Sequence, residues 1–138
     1  MNDITTVEGI GKKFREYVST LDLPQYYKTF HTTPQHDGSP HIESEGNEFH
    51  FVVTERGEEF QRIRSFDPNE ILYLLLSGVT HYAATQHELK NRIEGKDCRE
   101  IFFPHQEQLL HQMNPTWGER KKKEHEVILS KHPLRNET

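Results

Sequence analysis

Thiol chemistry is almost missing from this sequence, since Cys98 is its only cysteine. No disulfide can close within the chain, and a lone cysteine cannot build a zinc site by itself. That suits a reducing compartment, and a cytoplasmic location is the expectation. Long apolar runs are missing too. The longest, Ile71 to Leu76, falls far short of the ~20 residues that span a bilayer. Met1 to Thr6 is polar and acidic and lacks the basic, apolar, small-residue order of a signal peptide. The expectation is a chain neither exported by a classical signal nor embedded in a membrane. A basic excess is also lacking: the formal net charge is −5. Direct nucleic-acid binding usually needs the opposite balance, whereas an acidic protein suits either a cationic partner or simple solubility.

Signature chemistry is equally scarce. The sequence has no H-E-x-x-H, no G-x-S-x-G, no phosphate loop and no dinucleotide fingerprint. Ten histidines invite a metal reading, but His81 and His87, like His105 and His111, are six residues apart. On a helix that is about 240° of rotation, so each pair looks to different sides. His31, His36 and His41 recur every five residues in a turn-rich stretch, where water makes them ordinary polar groups. Cys98 has no base identifiable by spacing and reads as a small, semi-buried residue near a helix start. The paired carboxylates Glu43/Glu45 and Glu58/Glu59 fall in turns and strand ends, not in a shielded cleft where their pKa values could be pushed apart. No catalytic residue, no metal ligand and no cofactor is therefore assigned.

What is present is a lean aliphatic composition, 32% hydrophobic against 28% charged, with eight Phe, five Tyr and one Trp. Aromatic side chains bury ~150–250 Å² each, so a thin, aromatic-rich core is expected within a single domain of 138 residues. Val7, Ile10, Phe14, Val18 and Leu21 mark a first helix. Leu23 to Phe30 reads as an irregular connection, and His31 to Pro40 as a loop of turn formers. A short strand over Pro40 to Glu43 is followed by a turn at Glu45-Gly46-Asn47. Glu48 to Thr54 alternates as a second strand, Gly57 supplies the next turn, and Glu59 to Phe66 forms a third. Phe60 and Ile63 have opposite parity there, which a bulge between them would repair.

Asp67, Pro68 and Glu70 then form a strong helix start. Ile71, Leu72, Leu75, Val79, Tyr82 and Ala83 carry the stripe onward to about Arg92, with Gly78 offering room for close packing. A third helix spans Arg99 to Met113, with Pro104 implying a kink or a late start. Asn114-Pro115 opens a fourth, to Lys131, whose expected buried contacts are Trp117, Val127, Ile128 and Leu129. Its basic run is self-paired at i, i+4 through Glu119–Lys123, Arg120–Glu124 and Lys122–Glu126, which reads as a solvated face. The fold class is α+β: a small three-stranded antiparallel meander packed against about four helices, with helices on one face of the sheet and the other face partly open.

Glu43, Glu45, Glu48, Glu55, Glu58 and Glu59 all fall within this meander, opposed nearby only by Arg56, Arg62 and Arg64. Such a rim can steer a basic partner, or it can guard strand edges against foreign strands. Both readings stay open at this point.

Several runs, taken in order and spacing, resemble the immunity protein 63 family of bacterial toxin–immunity systems. They are Pro40-His41-Ile42-Glu43, Val52-Val53-Thr54-Glu55-Arg56-Gly57 and Asp67-x-x-Glu70-Ile71-Leu72-Tyr73. Val79-Thr80, then Glu88 through Asp97 with Arg99, and Asn114-Pro115-Thr116-Trp117-Gly118-Glu119-Arg120 continuing to His132-Pro133 complete the set. The resemblance covers roughly Pro40 to Leu134. It implies a cytosolic antidote, as in contact-dependent inhibition, that binds and silences a cognate toxin domain, with a basic nuclease as one candidate, and it carries no catalytic residues. Many matched positions (Asp67, Gly57, Asn114-Pro115, Trp117) are ones the fold needs anyway. With that partner in view, Glu43, Glu45, Glu48, Glu55, Glu58 and Glu59 are the expected steering charges, and Tyr26, Tyr27 and His50 the expected anchors. Two rivals remain: a small enzyme with a histidine-lined site, and a self-associating scaffold or adaptor. The oligomeric state is not legible.

Overall fold

The computed structural model describes residues 5–135; residues 1–4, most of the Met1–Thr6 segment read above for a leader, and residues 136–138 lie outside them. Helix α1 (Val7–Val18), a 3-10 turn (Gln25–Lys28), strands β1 (Asp37–Glu45), β2 (Glu48–Glu55) and β3 (Glu58–Ser65), and helices α2 (Pro68–Lys90), α3 (Arg99–Met113) and α4 (Pro115–Lys131) follow in order. The strands form one antiparallel sheet in the order β1-β2-β3, so the α+β assignment holds. The chain divides into two compact units, residues 1–76 and 77–138, with the boundary inside α2.

In the first unit, α1 starts where the Thr6 hydroxyl accepts a hydrogen bond from Gly9 N–H at 2.9 Å, satisfying an orphan amide. Its Ile10, Phe14 and Val18 are buried, as the stripe predicted. β1 begins earlier than expected: Asp37 already pairs with Glu55, and an irregularity in the ladder precedes Pro40. The segment read as a loop thus contributes a strand end. It is also tied down, because His31 O accepts from Ile42 N–H and His36 O from Arg56 N–H, both at 3.0 Å. Between β2 and β3, Arg56 (φ 52°) and Gly57 (φ 82°) both take positive φ, as a type I′ two-residue hairpin requires.

The second sheet face, expected to be partly open, is exposed along much of β3 but closed over β2. On β2, Phe49 and Phe51 are buried on one side, and His50, Val52 and Thr54 on the other. The second side is covered partly by long charged side chains that bond to one another across the strands. The bulge also differs in place. Gln61 pairs with Val53 but Glu59 with Thr54, so Phe60 itself is the extra residue. Its ring is 63% exposed rather than turned inward.

In the second unit, α2 ends at Lys90, slightly short of the expected Arg92. Its N-terminus lies in the first unit, where Asp67 Oδ1 caps Asn69 N–H at 2.9 Å. Gly78 is exposed and a Cβ there would meet nothing, so it is not a close-packing site. α3 begins at Arg99 with Pro104 carried inside it and no late start. Cys98 is exposed, not semi-buried. Asp97 organises this start: Oδ1 accepts from Arg99 N–H at 3.0 Å, and the carboxylate holds the Arg99 guanidinium at 2.7 and 3.1 Å. Arg99 in turn donates to His132 O and Pro133 O at the end of α4. The guanidinium bonds hold the Asp97 carboxyl well below the usual aspartate range.

α4 has the predicted bounds and the predicted cap, Asn114 Oδ1 accepting from Thr116 N–H at 3.0 Å. Its buried face is the expected one at Trp117 only. Val127 and Ile128 are exposed, whereas Trp117, Gly118, Lys121 and His125 are buried. These four follow an i, i+4 stripe in which two polar residues replace the aliphatics. Gly118 is where α4 approaches α3 closely: a Cβ there would stand 2.6 Å from His111 Cβ and 2.8 Å from His111 Cα. Gly118→Ala must therefore push backbone from backbone. Overpacking of this kind costs about 1–3 kcal/mol, and the urea midpoint of the variant is expected to fall accordingly while its fold is retained.

Candidate partner-binding surface

The charged side of the meander is a connected network. His41, Glu43, His50 and Arg62 share one side of the sheet, because Glu43 pairs with His50 and both His41 and Arg62 pair with Val52. Arg62 sits at the centre. Its Nε and Nη2 donate to the two Glu59 oxygens at 3.0 and 2.7 Å, and Nη1 donates to Glu43 Oε1 at 3.1 Å and to His50 Nδ1 at 2.6 Å. A guanidinium can only donate, so Nδ1 of His50 accepts and Nε2–H donates to Glu48 Oε1 at 2.8 Å. His41 is fully buried and bonds Glu43 Oε2 through Nε2 at 2.7 Å. Its Nδ1 is the one buried side-chain polar atom without a partner among the described residues.

Hydrogen bonds from His41 and then Arg62 lower the Glu43 pKa, and those from Arg62 lower that of Glu59. Three of the six sequence-predicted steering carboxylates, Glu43, Glu48 and Glu59, are therefore engaged inside the protein. His50, expected as a surface anchor, is only 3% exposed and is a strut of this network instead.

The remaining carboxylates stand differently. Glu45, Glu55 and Glu58 are exposed, and Glu55 lies directly opposite both Asp37 on β1 and Glu58 on β3. Asp37, which sequence reasoning missed, completes a row of three acids across three adjacent strands, about 5 Å apart. Tyr26 joins them from the 3-10 turn. Its hydroxyl donates to Asp37 Oδ2 at 2.7 Å and lies 2.9 Å from Ser39 Oγ, while its ring stays 53% exposed. Tyr27 is half-buried and packs edge-on against Tyr26 at 5.0 Å. The Tyr26 hydroxyl, with Ser39, holds the Asp37 carboxyl down at about 2. Phe60, also missed, stands at this same end of the sheet two residues beyond Glu58. The parity conflict with Ile63 was its signal in the sequence.

Several histidines of the second unit enter ring stacks. His125 is 4% exposed, stacks on Phe103 at 3.7 Å, and has Nδ1 2.6 Å from Glu107 Oε2 and Nε2 3.2 Å from Gln106 Oε1. Burial pushes its imidazole pKa down, against the opposing pull of Glu107. Lys121 Nζ donates to Ser77 Oγ at 2.6 Å. His87 stacks on His105 at 3.8 Å. Among the described residues no group of three or more His, Cys, Asp or Glu is placed to hold a metal ion, and no helix is long and apolar enough to cross a membrane.

The family model for immunity protein 63 matches residues 45–127, more than half of the chain. The chain belongs to the immunity protein 63 family. The family match takes in β2, β3 and the hairpin between them, together with α2, α3 and most of α4. Glu45, Glu48, His50, Glu55, Glu58, Glu59 and Phe60 lie inside it, whereas Tyr26, Tyr27, Asp37 and Glu43 lie before it. No curated protein and no solved structure matches the chain.

Two outcomes follow from the network. Arg62→Ala strands the buried His50 Nδ1 and leaves Glu43 and Glu59 without their cation. A loss of about 1–3 kcal/mol is expected, read as a lower urea midpoint, and Arg62→Lys, lacking the fork, should not restore it. Separately, Tyr26→Phe removes the hydrogen bond that depresses Asp37. Its carboxyl should then titrate nearer the ordinary ~3.9 in an NMR pH series. A depressed carboxylate contributes stability above its unfolded pKa and loses it as pH falls toward about 2, so the variant should show a smaller acid-dependent loss between those values.

Proposed function

We propose that this member of the immunity protein 63 family is a stoichiometric inhibitor. It binds a cognate bacterial toxin domain by protein–protein contact in the cytoplasm and silences it without making or breaking a covalent bond. Contact-dependent inhibition is one setting for such a pair, and a basic nuclease is one toxin chemistry that an acidic antidote suits. The observation that carries the reading is the family match across residues 45–127. The meander's own geometry supports it. A sheet edged by carboxylates raises the on-rate of a cationic partner. Exposed aromatic rings on a fixed backbone are what interface hot spots are made of. The histidine best placed for chemistry, His125, is sealed and has both ring nitrogens beside partner oxygens, which supports binding over turnover.

Titration of the toxin domain encoded beside this chain's gene tests the proposal. Toxin activity should fall linearly with added protein and vanish at one equivalent, with a complex of fixed composition on size exclusion. Complete loss of activity at a small fraction of one equivalent would mean catalytic modification of the toxin and would overturn the reading.

A further inference from the structure

We infer that the toxin is gripped at the end of the sheet where Asp37, Glu55 and Glu58 stand abreast between the exposed rings of Tyr26 and Phe60, and that the partner presents there a lysine or arginine side chain beside an apolar pocket. This rests on the proposed function and deepens it by separating the docking residues from the bracing ones.

The acidic side chains fall into two sets. Glu43, Glu48 and Glu59 already have their charge met by Arg62 or bonded by a histidine. Glu55 and Glu58 form no ion pair among the described residues, and they sit directly opposite each other in the ladder. Like charges so placed destabilise a sheet, and local rules are broken at functional sites more often than elsewhere. Edge protection does not account for Glu55, which lies on β2, the central strand.

The apolar component comes from the aromatics. Phe60 is thrust outward by the bulge, and the Tyr26 ring is held from behind by its hydroxyl bonds to Asp37 and Ser39. A ring already fixed loses little freedom on binding. The backbone beneath is braced as well: His36 O accepts from Arg56 N–H at 3.0 Å, and His36 N–H donates to Thr54 Oγ1 at 3.2 Å.

Charge decides the occupant. A second copy docking here by two-fold symmetry would set carboxylates against carboxylates, and a polyanion such as nucleic acid would be repelled. A basic protein surface fits. The opposite end of the sheet provides an internal control. There Glu45 faces Glu48 and Phe66 is 72% exposed, but Glu48 is already bonded by His50.

The test uses the full chain and the toxin domain encoded beside its gene. Glu55→Gln/Glu58→Gln, Phe60→Ala and Glu45→Gln are compared with the parent for association rate at low and high salt, dissociation rate, and melting temperature of the free protein. The double variant should associate about tenfold more slowly at low salt, with a flatter salt dependence, while melting no lower than the parent. Phe60→Ala should dissociate about thirtyfold faster or more, as for a hot spot, and Glu45→Gln should match the parent. Equal slowing per charge removed, in Glu45→Gln and in the double variant, would reduce the effect to net charge and overturn the assignment. So would a parent-like rate for the double variant, a lowered melting temperature in it, or a dimer of the free parent that Phe60→Ala dissolves. Failure of the parent itself to inhibit the toxin would instead refute the proposed function.

Discussion

One guanidinium organises the meander. Arg62 reaches Glu59 on its own strand, then Glu43 and His50 across the sheet, and so covers polar groups on a side of β2 that water does not reach. Without it, the buried His50 imidazole would need another partner, and leaving such a group unmet costs more than the bond itself contributes, whereas Glu43 and Glu59 would turn to water. The same residue sorts the acids. Glu43 and Glu59, held by its fork, and Glu48, bonded by His50, are tied into the sheet, whereas Glu45, Glu55 and Glu58 face solvent. The carboxylates of the meander are therefore two populations, one bonded within the sheet and one not.

The second unit solves its packing in a comparable way with different groups. α4 buries Lys121 and His125 on the same face as Trp117, and each finds a specific partner: Ser77 on α2 for the ammonium and Glu107 on α3 for the imidazole, with Gln106 beside the other ring nitrogen. Gln106 extends the chain of bonds to Ser77 O and Thr80 Oγ1. Buried polar groups that are fully met add little stability but define one arrangement among many. Here they fix the register of three helices. The small residue Gly118 then lets α4 close against His111.

What the sequence disclosed follows the range of the interactions involved. Asp67-Pro68 and Asn114-Pro115 were legible because capping acts over two or three residues, and the starts of α2 and α4 fall where those signals put them. The three strands were legible from alternation and turns. The buried face of α4 was not, because Lys121 and His125 look solvent-bound until partners 44 and 18 residues away come alongside. Val127 and Ile128 looked buried for the converse reason. Of the site, the glutamates were visible as composition, but their division by Arg62 depends on strand register. Asp37 was lost in a stretch of turn formers, and only its pairing with Glu55 brings it into the sheet. The parity break at Phe60 was visible, yet parity alone does not say which side of a bulge a ring takes.

The bulge at Phe60 has an effect beyond that one ring. Side chains along a strand alternate strictly, so a change in length or pairing at one end would ordinarily invert every position after it. An extra residue interrupts that coupling. In the hairpin tip, Glu55 through Glu58 and Phe60 can exchange their side chains for others while Glu59 stays bonded to Arg62 and Gln61 through Ser65 keep their inward and outward assignments against β2. The tip is thus mechanically insulated from the core, and its exposed positions have room to vary while the sheet beneath keeps its pattern.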